Sequence, residues 1–113
     1  MGDFMDELDL KNLQKIEKNW VKTKGFKWSA YAEFCHLVEE VGELGEALTV
    51  KQGERQAGSG YEGLADHSDL EEETGDILFS LIVIANRFNI DLENCFNSTI
   101  KRYDKKVDKR QNK

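Results

Sequence analysis

The sequence predicts an all-α fold, a four-helix bundle-type arrangement whose helices also pair across a subunit interface. Three observations predict it. No proline interrupts the 113 residues, so nothing forbids long helices. Apolar residues recur every three to five positions in four stretches separated by glycine-, asparagine- and serine-containing breaks. One of those stretches, Ile77 to Ala85, is apolar nearly all round, and such a helix must be covered on most sides. Three partner helices in so short a chain hardly suffice, hence the expected second subunit.

The first helix is expected from about Asp6 to Val21, with Leu8, Leu13, Ile16 and Trp20 on one stripe and Lys24-Gly25 as the turn. Ser29 is placed to cap the second, which continues to about Gln52 and stops at Gly53. Phe34, Leu37, Val38, Val41, Leu44 and Leu48 form its expected buried face. The stretch from Gly53 to His67 is glycine-rich without apolar periodicity and reads as a loop at about 53–67. Ser68 or Asp69 caps the third helix, with Glu71, Glu72 and Glu73 near its positive end. That helix runs to about Phe88 and closes at Asn89. Asp91 caps the fourth, whose stripe is Leu92, Phe96, Thr99, Tyr103 and Val107. A frayed tail is expected from about 108 to 113. Residues 1–113 thus form one domain, too short for a TIM barrel or a two-domain dinucleotide enzyme.

Composition bounds the partners. Apolar residues make up 39% and charged residues 34%, as in globular chains. The net charge of −6 disfavours nonspecific contact with nucleic acid, which rests on cations facing phosphate. The basic stretch Lys101 to Lys113 reads as a solvated helix face. An acidic chain can still hold a polyphosphate if a divalent cation lies between them. Cys35 and Cys95 form no disulfide framework and no metal-type spacing, so two reduced thiols in a cytoplasmic protein are expected. The acidic first nine residues lack a signal-like apolar run. The stretch 77–85 is too short for a bilayer, so no membrane partner is expected.

Two carboxylate clusters differ from an ordinary solvated face: Glu39-Glu40-Val41-Gly42-Glu43 and Glu72-Glu73-Thr74-Gly75-Asp76. Glu40 with Glu43, and Glu73 with Asp76, are each three apart, about 60° around a helix and about one turn along it. Glu40 projects about 40° from Leu44, and Asp76 about 20° from Val83, so both border apolar faces. Four carboxylates brought together there would be forced to take up protons by burial and mutual repulsion. A divalent cation removes that conflict, and an all-carboxylate set favours a hard ion, Mg²⁺ or Mn²⁺. Acidic, solvated helix edges are the plainer alternative. Gly42, Gly45 and Gly75 each cost about 1 kcal/mol in a helix. Close approach of ligand or backbone, or tight helix packing, would account for them.

These residues carry a resemblance. The chain resembles the MazG-like all-α nucleoside triphosphate pyrophosphohydrolases, whose motif is EExxE followed by ExxD. Here it stands as Glu39-Glu40-Val-Gly-Glu43 and Glu73-Thr-Gly-Asp76, within LVEEVGELGEAL and LEEETGDILFSLIVIANRFNIDLENCF. The likeness covers about residues 10 to 107 and does not fix the substrate. It implies Mg²⁺-dependent conversion of a (d)NTP to (d)NMP and pyrophosphate, cleaning or remodelling nucleotide pools. By the same resemblance Glu40, Glu43, Glu73 and Asp76 would bind the metal. Glu39 and Glu40 would be the catalytic carboxylates placing or deprotonating water, although Glu39 points about 100° away from Glu40. Lys101, Arg102 and Lys105 would steady the phosphates. Relatives usually carry an Asn before the aromatic on this helix. Tyr103 here follows Ile100-Lys101-Arg102, and Val83 stands where many relatives have Asn. Lys27 could face phosphate, and Trp28 or Phe26 could stack on a base or simply pack a core or hinge. A homodimer or homotetramer is expected. The alternatives are a phosphoribosyl-ATP pyrophosphatase-like enzyme and a non-catalytic helical binding module. Glu33-Phe-Cys-His36 lacks the second ExxH that a di-iron bundle needs, and neither an EF-hand nor a P-loop is present.

Overall fold

The computed structural model describes residues 8–53 and 69–111. The expected loop at about 53–67 therefore lies, apart from Gly53, outside the described residues, as do residues 1–7 and 112–113. Among the described residues there are four helices and no strand: α1 Leu10–Lys24, α2 Ala30–Lys51, α3 Leu70–Arg87 and α4 Leu92–Gln111.

Local chemistry sets most of the boundaries. Asp9, in extended backbone, accepts the Asn12 N–H at 2.8 Å, so α1 begins at Leu10 and not near Asp6. It runs past Val21 to Lys24, where Gly25 turns left-handed at φ 75° and returns its N–H to Val21. Ser29 accepts the Ala32 N–H, and Asp69 accepts the Glu72 N–H, each at 3.1 Å. Asp91 Oδ1 takes the Glu93 and Asn94 N–H groups. Asn89 closes α3 at φ 54°, a conformation Asn tolerates better than most residues, and lets Ile90 N–H reach the Ala85 carbonyl at 2.8 Å.

The packing centres on α2 against α3, with α1 lying on α3 and the start of α4 against α1. A polar hub fixes the last two joints. The Gln14 amide donates to Asn86 Oδ1 and to the Ile90 carbonyl, and its own oxygen accepts the Leu92 N–H. Asn86 answers by donating to the Gln14 carbonyl.

The interior differs from the expected stripes. Among the described residues the buried apolar side chains are Ala47, Ile82 and Ala85, while Glu17, Glu33, Glu40 and Glu73 are buried too. On α2, Leu37 and Leu44 are half-buried, but Phe34, Val38, Val41 and Leu48 are exposed. The helix is apolar over a wider arc than α3 covers, and it presents Glu33, Glu40 and Ala47 to that neighbour instead. On α1, Glu17 is buried whereas Leu8 and Trp20 are exposed. On α4 no residue is buried, and Phe96, Tyr103 and Val107 are exposed because only its first turns meet α1. Among the described residues a methyl group added at Gly42, Gly45 or Gly75 would meet nothing within 4 Å, so none of these residues makes a close approach there.

Candidate metal centre

Two local spacings and one long-range contact build the site. Glu40 and Glu43 project from one side of α2, Glu73 and Asp76 from one side of α3, and those sides face each other. One oxygen from each of the four carboxylates lies within 4.8 Å of all the others. Glu40 and Glu73 are buried and Glu43 is half-buried. Glu39, the other catalytic candidate, is outside this group and mostly exposed, its carboxylate 3.9 Å from His36 Nδ1.

His36 ties the cluster to its surroundings. Its Nε2 is 3.2 Å from Glu40 Oε1, and its ring meets Trp28 edge-on at 5.3 Å. Among the described residues none donates a hydrogen bond to Glu40 Oε2, which is buried. Burial pushes the Glu40 carboxyl up to about 7; the charges of Glu43 and Asp76, a proton shared with Glu43, and the charge of Glu73 push the same way. A buried acceptor with no donor, ringed by carboxylates, fits a divalent cation. The donor set is all oxygen, which suits a hard ion.

Beside the cluster lies a cavity of about 270 Å³. Trp20, Phe26, Trp28 and Phe79 contribute its aromatic walls, with Trp20 and Phe26 stacked at 5.6 Å and Trp20 and Phe79 edge-on at 5.4 Å. Lys27, His36, Ser80 and Val83 also line it. Trp28 and Lys27 thus line a cavity that meets the carboxylates through His36. Lys101, Arg102 and Lys105 are exposed on α4, whose principal packing is against α1. Arg102 donates to Thr99 Oγ and lies over Tyr103.

Sequence reasoning missed Glu17, Glu33 and Arg87. Arg87 Nε donates to Glu33 Oε1, and its Nη2 donates to the Trp28 carbonyl. Glu17, next to Asn86, is pushed up to about 7 by burial, against a hydrogen bond from Asn86 and with a further push from Glu33. The signal available was a glutamate inside the period of each apolar stripe, one turn from Leu13 on α1 and from Leu37 on α2.

Among the described residues the scaffold is helical without strands and carries two facing carboxylate pairs, as the resemblance to the all-α nucleotide pyrophosphohydrolases implied. A family model, the MazG nucleotide pyrophosphohydrolase domain, matches residues 32–113, and the chain belongs to that family. The uncharacterized protein YpjD of Bacillus subtilis (strain 168) is 28% identical over 101 residues, covering 88% of this chain and 87% of that protein. The crystal structure of Bacillus subtilis YPJD superposes with a TM-score of 0.71 at 26% identity, over 86% of this chain and 94% of that one. A Bacillus-conserved MazG protein, described as a nucleotide pyrophosphohydrolase, gives 0.68 at 32% identity, over 86% and 90%. No helix among the described residues is long and apolar enough to cross a membrane.

Proposed function

We propose that this chain is a Mg²⁺-dependent nucleoside triphosphate pyrophosphohydrolase, with Mn²⁺ as a substitute, that converts (d)NTP to (d)NMP and pyrophosphate in cleaning or remodelling nucleotide pools. The observation that carries the reading is the four-carboxylate cluster: mutually repulsive, with Glu40 and Glu73 buried, and near a cavity that would take a flat ring. Glu40, Glu43, Glu73 and Asp76 would hold the metal. Bound there, it would offset the phosphate charge and acidify water.

The chain's own groups supply the rest. Water attacks the α-phosphorus, the α–β anhydride bond breaks, and pyrophosphate leaves. Glu40, which the resemblance makes a catalytic carboxylate, would accept the water's proton. Glu39 shares that role if nucleotide or a second copy closes over it. His36 holds Glu40 Oε1 in place. Trp28 would stack on the base, and Lys27, which also lines the cavity, would face the phosphates. Lys101, Arg102 and Lys105 would reach the phosphates where a second copy brings α4 over the cluster.

The exposed apolar surface supports that second copy. Val38, Val41 and Leu48 on α2, Leu78 and Leu81 on α3, and Phe96, Ile100 and Tyr103 on α4 are all more than 40% exposed. So much apolar area is unusual on a monomer and suits a homodimer or homotetramer. The test is incubation with a panel of canonical and modified (d)NTPs plus Mg²⁺, reading monophosphate and pyrophosphate. Folded protein that turns over no nucleotide would favour the non-catalytic module. Selective turnover of phosphoribosyl-ATP would favour the other alternative.

A further inference from the structure

We infer that Arg87 is a positioning residue for the base: it ties the linker between α1 and α2 to the end of α3, and so holds the Trp28 ring in place as a wall of the cavity. This rests on the hydrolase reading for its substrate, while the anchoring rests on contacts within the chain.

The linker, residues 25–29, carries two of the aromatic walls, Phe26 and Trp28. Its first half is tied to α1, because the Gly25 and Phe26 N–H groups both donate to the Val21 carbonyl. Its second half is tied elsewhere. The α2 ladder starts at the Ser29 carbonyl, which accepts the Glu33 N–H at 3.0 Å. The Trp28 carbonyl lies one residue outside that ladder, and Arg87 Nη2, 59 positions along the chain, donates to it. Burial alone does not hold the ring, since Trp28 is 48% exposed. Its ring contacts are edge-on, with Phe26 at 6.4 Å and His36 at 5.3 Å.

Glu33 keeps Arg87 where it is. That carboxylate is buried in the first turn of α2, and a buried charge without a counter-charge is strongly unfavourable. Arg87 Nε supplies the counter-charge at Glu33 Oε1. Nε and Nη2 donate along one edge of a planar guanidinium, in a fixed fork. With Nε on Glu33 the direction of Nη2 is set, and it falls on the Trp28 carbonyl. The end of α3, the start of α2 and the linker thus meet at one group. A wall held before the nucleotide arrives does not have to be ordered on binding. A lysine ammonium would still face Glu33, but it has no fork to reach the carbonyl as well. Arg87 also lines the cavity, so direct contact with the nucleotide is the competing role.

A double-mutant cycle on Arg87→Lys and Trp28→Ala separates the two. KM and kcat are measured with Mg²⁺ for the best-used (d)NTP in wild type, both single variants and the double. Quenching of tryptophan fluorescence by the four deoxynucleosides, without metal, reads the cavity alone; Trp20, on the same wall, keeps the signal when Trp28 is gone. We expect Arg87→Lys to raise KM, and to weaken the tightest-binding deoxynucleoside, by about three- to tenfold with kcat little changed. In the Trp28→Ala background the same substitution should change neither. An equal rise with and without Trp28 would mean that Arg87 acts on the nucleotide directly or on the fold at large, and would overturn the inference. A fall in kcat without a rise in KM, or a wild type that no deoxynucleoside quenches, would overturn it too. If folded wild type turns over no nucleotide, the hydrolase reading fails, and the quenching cycle still decides the role of Arg87. If Arg87→Lys fails to fold, Glu33→Gln takes its place, keeping an acceptor for Arg87 Nε without the charge. Its rise in KM should likewise vanish without Trp28, and a rise that persists would count against the assignment.

Discussion

Glu40→Gln should make the metal-free protein more stable at pH 8 while removing its response to Mg²⁺. The amide keeps the shape and can still accept from His36, but it carries no charge. In the folded chain the Glu40 carboxyl is raised from 4.5 to about 7. The native state therefore holds this proton more tightly than the unfolded chain does. Below about pH 4.5 both states are protonated and nothing is lost. As pH rises from 4.5 to 7 the wild type loses stability, and above 7 the loss is complete. At 1.36 kcal/mol per pH unit that loss amounts to about 3 kcal/mol. For a chain this size it corresponds to a Tm on the order of 10 °C higher in the variant at pH 8, and little difference at pH 4.5. The assay is thermal unfolding by circular dichroism at both pH values, with EDTA or with millimolar Mg²⁺. The cation should raise the wild-type Tm at pH 8, where the carboxylates are free to bind it, and barely move the variant. Equal pH dependence in the two proteins, or equal stabilisation by Mg²⁺, would refute the electrostatic account of the cluster.

Glu17→Gln should also stabilise the protein above pH 7, since Glu17 too is raised to about 7 by burial, yet its Mg²⁺ response should match wild type in the same melts. Val41→Asp places a charge on the exposed α2 stripe and should shift the protein to monomer in light scattering, with its helical circular dichroism retained. Asp69→Ala removes the acceptor of the Glu72 N–H, which should cost about 1 kcal/mol in denaturant unfolding. Trp28→Ala should raise KM for nucleotide several-fold with a smaller change in kcat, as steady-state kinetics would show.

Much of this molecule is written locally. The caps at Ser29, Asp69 and Asp91 act within three residues of themselves, so the helices they begin follow from the chain read in order. The three-residue spacing of Glu40 with Glu43 and Glu73 with Asp76 is equally local. Their nearness to apolar neighbours also showed that hydration would be incomplete.

What the sequence left open is which arc of each helix turns inward. The apolar arc of α2 is wide enough to serve two partners, and periodicity cannot say which one belongs to the same chain. Only the packing of α2 on α3 turned Glu33 and Glu40 inside and left Phe34, Val38 and Val41 outside. Contacts such as Glu33 with Arg87, 54 positions apart, and Gln14 with Asn86, 72 apart, have no local signature. Helix formation and capping are short-range, so sequence determines them. Burial of a charge depends on what a distant segment brings to it, and the tertiary structure alone decided that.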